Sequence, residues 1–127
     1  MGSGSESVGG GDSTGAVNVI YGSATGLTAT GDQFWSRGIK GDVSFTQGFG
    51  ESLAADNFGK SGRGDLAIGA PQVTLGNNEV AGEVHVLYGT ARGLNAAGDQ
   101  LWSLDTPGIL GGSRESSYFG EVLVASP

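Results

Sequence analysis

An all-β chain built from a repeated four-stranded unit is the fold class that this sequence predicts, and three observations predict it. Glycine supplies 26 of the 127 residues, about three times ordinary usage, which disfavours long helices and favours frequent tight turns. Apolar residues come in short clusters of alternating pattern, as half-buried strands require. The third observation is internal repetition. Gly15 to Ser36 matches Gly82 to Ser103 at an offset of 67 positions with 14 of 22 residues identical. Chance does not easily produce such a match, and a repeat of this length is the mark of a modular architecture. Three prolines without a Gly-X-Y period exclude collagen, and 37% hydrophobic residues argue against simple disorder.

Residues 1–14, rich in glycine and serine, read as a flexible linker carrying an expression scar. Val17, Val19 and Tyr21 alternate with Asn18 and Ile20, and in the second copy Val84, Val86 and Tyr88 alternate with His85 and Leu87, so each copy has a strand there. Gln33 to Ser36 and Gln100 to Ser103 predict a second, short strand. Phe49 to Ala55 and Asp65 to Pro71 predict two more, with glycine-rich turns between them. Phe49 to Ala55 recurs as Phe119 to Ala125 at an offset of 70, so the second copy has gained three residues after its tryptophan. Four antiparallel strands per unit is the anatomy of a propeller blade. The organisation expected is a partial blade over 15–48, holding third and fourth strands, a complete blade over 49–106, and a loop with a further partial blade over 107–127. Phe119 to Pro127 aligns either with the first strand, Phe49 to Ala55, or, as Glu121 to Pro127, with the second strand, Asp65 to Pro71. Thr28 to Asp32, Gln72 to Ala81 and Pro107 to Ser117 read as small polar loops at one end of the blades.

The ordered motifs Phe49-Gly-Glu-Ser-Leu-Ala-Ala, Asp65-Leu-Ala-Ile-Gly-Ala-Pro and Gly82-Glu-Val-His-Val-Leu-Tyr-Gly resemble the FG-GAP repeat of integrin α-subunit β-propellers and their bacterial relatives. In that repeat Phe-Gly opens a blade and Gly-Ala-Pro ends its second strand. The resemblance covers about Gly15 to Pro127. It implies a propeller, usually seven-bladed and extracellular, that works by binding. It also implies a calcium loop at Asn57 to Asp65. Carried over residue by residue, the ligand positions fall on Asn57, Gly59, Ser61, the carbonyl of Arg63 and Asp65, with Gly62 at the turn. Calcium wants six to eight oxygen ligands. With one carboxylate left and Lys60 and Arg63 nearby, the expectation is weak structural calcium binding or none, the loop being held instead by Asx-type hydrogen bonds of Asn57, Ser61 and Asp65.

Charge and chemistry narrow the function classes. Six Lys and Arg against 13 Asp and Glu give a net charge of −7, with no basic cluster to grip nucleic acid. The absence of cysteine removes disulfides, thiol nucleophiles and zinc thiolates. No apolar run approaches the roughly 18 residues of a membrane span, and no signal-peptide core follows Met1. Arg63-Gly64-Asp65 spells an integrin-recognition tripeptide by coincidence, and Gly59-Lys60-Ser61 imitates a phosphate loop without its first glycine, Ala54 standing there, or a following helix. Nucleophilic catalysis lacks a Gly-x-Ser-x-Gly elbow, and His85, the one histidine, corresponds to Asn18 in the other copy, so it reads as a solvent-side or inter-blade polar residue. Asp32 and Asp99 read as turn residues, and Trp35, Trp102, Tyr21 and Tyr88, recurring once per unit, as inter-blade packing. A non-enzymatic scaffold or binding module follows, of the kind an engineered or excised propeller fragment forms. About two blades with complementary ends do not close a ring of four to eight, so copies of the chain are expected to assemble into a homo-oligomeric ring. The alternative is a glycan- or protein-binding piece of a secreted bacterial adhesin or enzyme.

Overall fold

The computed structural model describes residues 2–3, 15–36, 48–75, 77–112 and 114–125. The described residues form seven strands: β1 Gly2–Ser3, β2 Ala16–Ser23, β3 Gly26–Ser36, β4 Ser52–Asp56, β5 Asp65–Ala70, β6 Glu83–Thr90 and β7 Gly93–Trp102. They make two antiparallel sheets, ordered β1-β2-β3 and β4-β5-β6-β7. The described residues contain no helix. Chain order equals sheet order in both sheets, as in a meander.

The two copies of the repeat fold alike in detail. In each, a two-residue turn joins the strands, with Ser23 opposite Gly26 in one hairpin and Thr90 opposite Gly93 in the other. The glycines take φ of 116° and 104°, left-handed values that a side chain resists. The hydroxyl before each turn donates to the glycine carbonyl, Ser23 Oγ to Gly26 O at 2.7 Å and Thr90 Oγ1 to Gly93 O at 2.8 Å. Both hairpins carry a register shift at the same place, between Val19 and Tyr21 and between Val86 and Tyr88.

Three strand boundaries differ from expectation. Gln33 to Ser36 and Gln100 to Ser103 are not separate short strands but the ends of long ones, β3 with 11 residues and β7 with 10. Thr28 to Asp32 therefore lies inside β3 rather than in a loop. The physical reason is Gly31 (φ 74°) and its counterpart Gly98 (φ 72°), which let the strand pass through an irregularity without ending. The first strand of the complete sheet starts at Ser52, because Gly48 to Glu51 form a tight turn closed by Glu51 N donating to Gly48 O at 2.9 Å. Phe119 to Ala125 holds neither of the strands considered for it; among the described residues it is turn and coil. Within the stretch read as a linker, Gly2–Ser3 pairs with β2 at Val17 and Ala16, and the rest of that stretch lies outside the described residues.

The four-stranded sheet is covered on both faces. On one, Ile68, Leu87 and Leu94 share a buried cluster with Val17, Phe49, Ala70 and Val73, and Val19 and Trp35 pack against it. On the other, Ala67, Val84, Val86 and Tyr88 form a second cluster against which Trp102, Phe119 and Leu123 pack. Val17, Val19, Trp35 and Phe49 are the repeat counterparts of Val84, Val86, Trp102 and Phe119, so the two sheets stack in the same sense, unlike face to unlike face. One tight approach repeats too. A Cβ on Gly15 would fall 2.2 Å from the Phe49 carbonyl oxygen, and one on Gly82 would fall 2.2 Å from that of Phe119.

Candidate functional site

The segment 57–65 runs from the end of β4 into β5 and carries the three expected ligand positions, of which Ser61 and Asp65 meet at Gly89 while Asn57 turns back on its own loop. Asp65, 2% exposed, accepts from Phe58 N at 2.7 Å through Oδ2 and from Gly89 N at 2.8 Å through Oδ1. Asn57 Oδ1 accepts from Gly59 N at 2.9 Å. Ser61 Oγ accepts from Arg63 N at 3.1 Å and donates to Gly89 O at 3.3 Å. All three side chains thus clamp main chain, either within the loop or between it and β6, and Gly89 is bare because a Cβ there would meet Gly64 O at 2.1 Å. Buried charge of this kind persists when hydrogen bonds satisfy it. The carboxylate of Arg63-Gly64-Asp65 points inward, so the tripeptide does not present it to a receptor. Among the described residues no group of three or more His, Cys, Asp or Glu gathers at one point.

Within the loop, Lys60 takes φ of 66°. Its Nζ donates to Gly98 O at 2.6 Å and sits 4.3 Å from the centroid of the Tyr88 ring. Burial raises the Tyr88 phenol above its ordinary value, and the Asp65 charge raises it further.

A second constellation lies where the two sheets meet. Tyr21 donates its hydroxyl to Gln33 Oε1 across the β2-β3 hairpin. The pair then grips the main chain of the other sheet: Leu94 N donates to Tyr21 Oη at 2.9 Å and to Gln33 Oε1 at 3.2 Å, while Gln33 Nε2 donates to Leu94 O at 2.8 Å. Strand alternation puts Tyr21 on the same face as Val17 and Val19. In the second copy Tyr88 donates to Gln100 Oε1 at 2.6 Å, and Trp102 Nε1 donates to the same oxygen at 3.3 Å. Trp35 Nε1, buried, has no hydrogen-bond partner, since Gln33 is turned to Leu94. Sequence reasoning assigned the tyrosines and tryptophans to packing between blades and missed the glutamines. Their signal was available: Gln33 and Gln100 recur at the repeat offset.

His85 is not solvent-side. It is 1% exposed and stands on the inter-sheet face, 5.2 Å from the Phe49 ring in an edge-on contact, with Nε2 3.4 Å from Glu83 Oε2. It lies opposite in direction to Val84 and Val86, as strand alternation dictates. At the hairpin ends, Tyr21, Thr28, Thr30, Thr90, Arg92 and Gly93 line an open cleft of about 460 Å³.

No protein-family model matches the chain. The chain is similar to phosphatidylinositol-glycan-specific phospholipase D of Mus musculus, with 37% identity over 79 residues that cover 62% of this chain and 9% of that protein. The same enzyme of Rattus norvegicus is 36% identical over 81 residues, covering 62% of this chain and 10% of that protein. The chain spans about a tenth of the length of these curated relatives.

Proposed function

We propose that the chain is a non-enzymatic β-propeller module of FG-GAP type that associates with copies of itself into a ring, blade face against blade face. The observation that carries this reading is the same-sense stacking of the two sheets, which leaves at one end of the pair the same apolar face that the other junction buries. Copies contributing about two blades each give even totals, within the four to eight at which propellers close. Any calcium at Asn57, Ser61 and Asp65 has a structural role. Light scattering is the test. A mass of several chains at micromolar concentration is expected, and a stable monomer sinks the ring.

A second reading is favoured by the threonine- and arginine-lined cleft and by the likeness to part of an enzyme whose name specifies phosphatidylinositol-glycan. In it the module binds a glycan or protein ligand as a piece of a larger secreted protein. Glycan-array binding that disappears in Arg92→Ala supports this reading, and an array without signal opposes it.

A further inference from the structure

We propose that Tyr88 and Gln100 form a socket for the Gly26-Leu27 main chain of a second copy of this chain. The inference rests on the self-association reading above and gives it a defined interface.

The template is the junction inside the chain. There Tyr21 and Gln33 hold the N–H and carbonyl of Leu94, and Leu94 and Leu87 are buried at 9% and 0% exposure. The repeat carries both halves of this contact a second time. Tyr88 and Gln100 stand where Tyr21 and Gln33 stand, flanked by Val84, Val86 and Trp102 in place of Val17, Val19 and Trp35. Leu27 and Ile20 stand where Leu94 and Leu87 stand, yet they are 78% and 48% exposed, and Phe34 beside them is 53% exposed. Gly93 is crowded, since a Cβ there would lie 2.8 Å from Tyr21 Oη, whereas a Cβ on Gly26 would meet nothing within 4 Å. Gln100 meanwhile accepts from Trp102, a bond its counterpart gives up on gripping Leu94. Phe119 and Leu123 pack against this face as Phe49 and Leu53 pack against the internal junction, and Val84 and Val86 keep 8% exposure where Val17 at the internal junction has 1%. Lys60 lies across Tyr88 and must swing aside, giving up its bond to Gly98 O for water at the exposed surface.

A large apolar patch on one end and a matching gripped face on the other call for a partner with this same sequence, because the internal junction already shows these residues mating. The contact is head to tail: the two surfaces joined are different ones.

The test uses the absence of cysteine from the chain. Thr30 and Arg92 line one cleft across the internal junction, so a Thr30→Cys, Arg92→Cys chain treated with a short bismaleimide should cross-link within itself, as the positive control. Their counterparts across the proposed interface are Ala97 and Thr25, both exposed. A Thr25→Cys chain mixed with an Ala97→Cys chain should give a covalent dimer containing one of each. Either chain alone should give none. Leu27→Asp should weaken association about a hundredfold, the loss expected from replacing a buried leucine by a carboxylate, with the circular dichroism of the chain unchanged. A wild-type monomer at every concentration overturns both this proposal and the ring. An oligomer whose mass survives Leu27→Asp and whose mixed cysteine chains do not cross-link overturns the socket alone and means that the exposed faces take another occupant.

Discussion

At the residue scale Asp65 bears the most weight. Its two oxygens satisfy main-chain N–H groups from the loop and from β6, so Asp65→Ala leaves donors without an acceptor and should cost about 2 kcal/mol of stability, measured by urea unfolding. Calcium separates the two readings of the loop. If the hydrogen bonds alone organise it, millimolar calcium leaves the melting temperature unchanged. If calcium binds, a rise is seen that Asp65→Ala abolishes and Ser61→Asp enlarges by restoring a carboxylate. Tyr88 sets an alkaline limit. Its folded value lies above the ordinary 10.0, so the unfolded chain loses its proton first, and the stabilisation, complete below that ordinary value, is lost as pH rises through the folded one. Ultraviolet titration should show a phenolate that forms late in the folded protein and normally in urea. The loop was legible in the sequence because its residues are close together in a spaced motif. The Tyr21-Gln33 grip was not, because its two members lie 12 positions apart and meet only once β2 and β3 have paired.

At the element scale the hairpins β2-β3 and β6-β7 repeat one design, and the glycines within it are not equivalent. Gly82, at φ 92° and with a Cβ position 2.2 Å from the Phe119 carbonyl oxygen, has no room to give, whereas Gly26, at φ 116°, faces open space. Within the single chain Gly82→Ala should therefore destabilise by roughly 3 kcal/mol and Gly26→Ala by about 1 kcal/mol, the second from backbone strain alone. Thermal melts of the two variants check the order. Alternation of Val17, Val19 and Tyr21 made β2 readable, and its copy made β6 readable. Strand length was misread, because Gly31-Asp32 is a sound turn signal in sequence and only the pairing with β2 shows the strand continuing through it. Phe119 to Ala125 shows the opposite failure. Its likeness to Phe49 to Ala55 is real, but a strand needs a neighbour on which to pair, and β4 has β5 where this segment has none among the described residues.

At the scale of the whole molecule, an all-β chain of stacked antiparallel sheets was legible from glycine content, period-2 patterning and the repeat. How one sheet sits on the next was not, since the repeat fixes which residues correspond but not which faces meet. That choice is made by Val17, Trp35 and Phe49 closing over Leu87 and Leu94.

The unlike-face stacking has a consequence of the kind familiar from polymer growth. A joint between two different surfaces carries no dyad, so if copies add by the proposed joint, each leaves one donor end and one acceptor end, and assembly stops only when the last acceptor meets the first donor. Leu27→Asp spoils one end and leaves the other intact. Such a chain can be added once and then blocks the next addition, as a monofunctional monomer caps a step-growth polymer. A minority of Leu27→Asp mixed into wild type before refolding should therefore deplete closed assemblies well beyond its own fraction. Sedimentation velocity would show short open species accumulating in proportion to the capping chain.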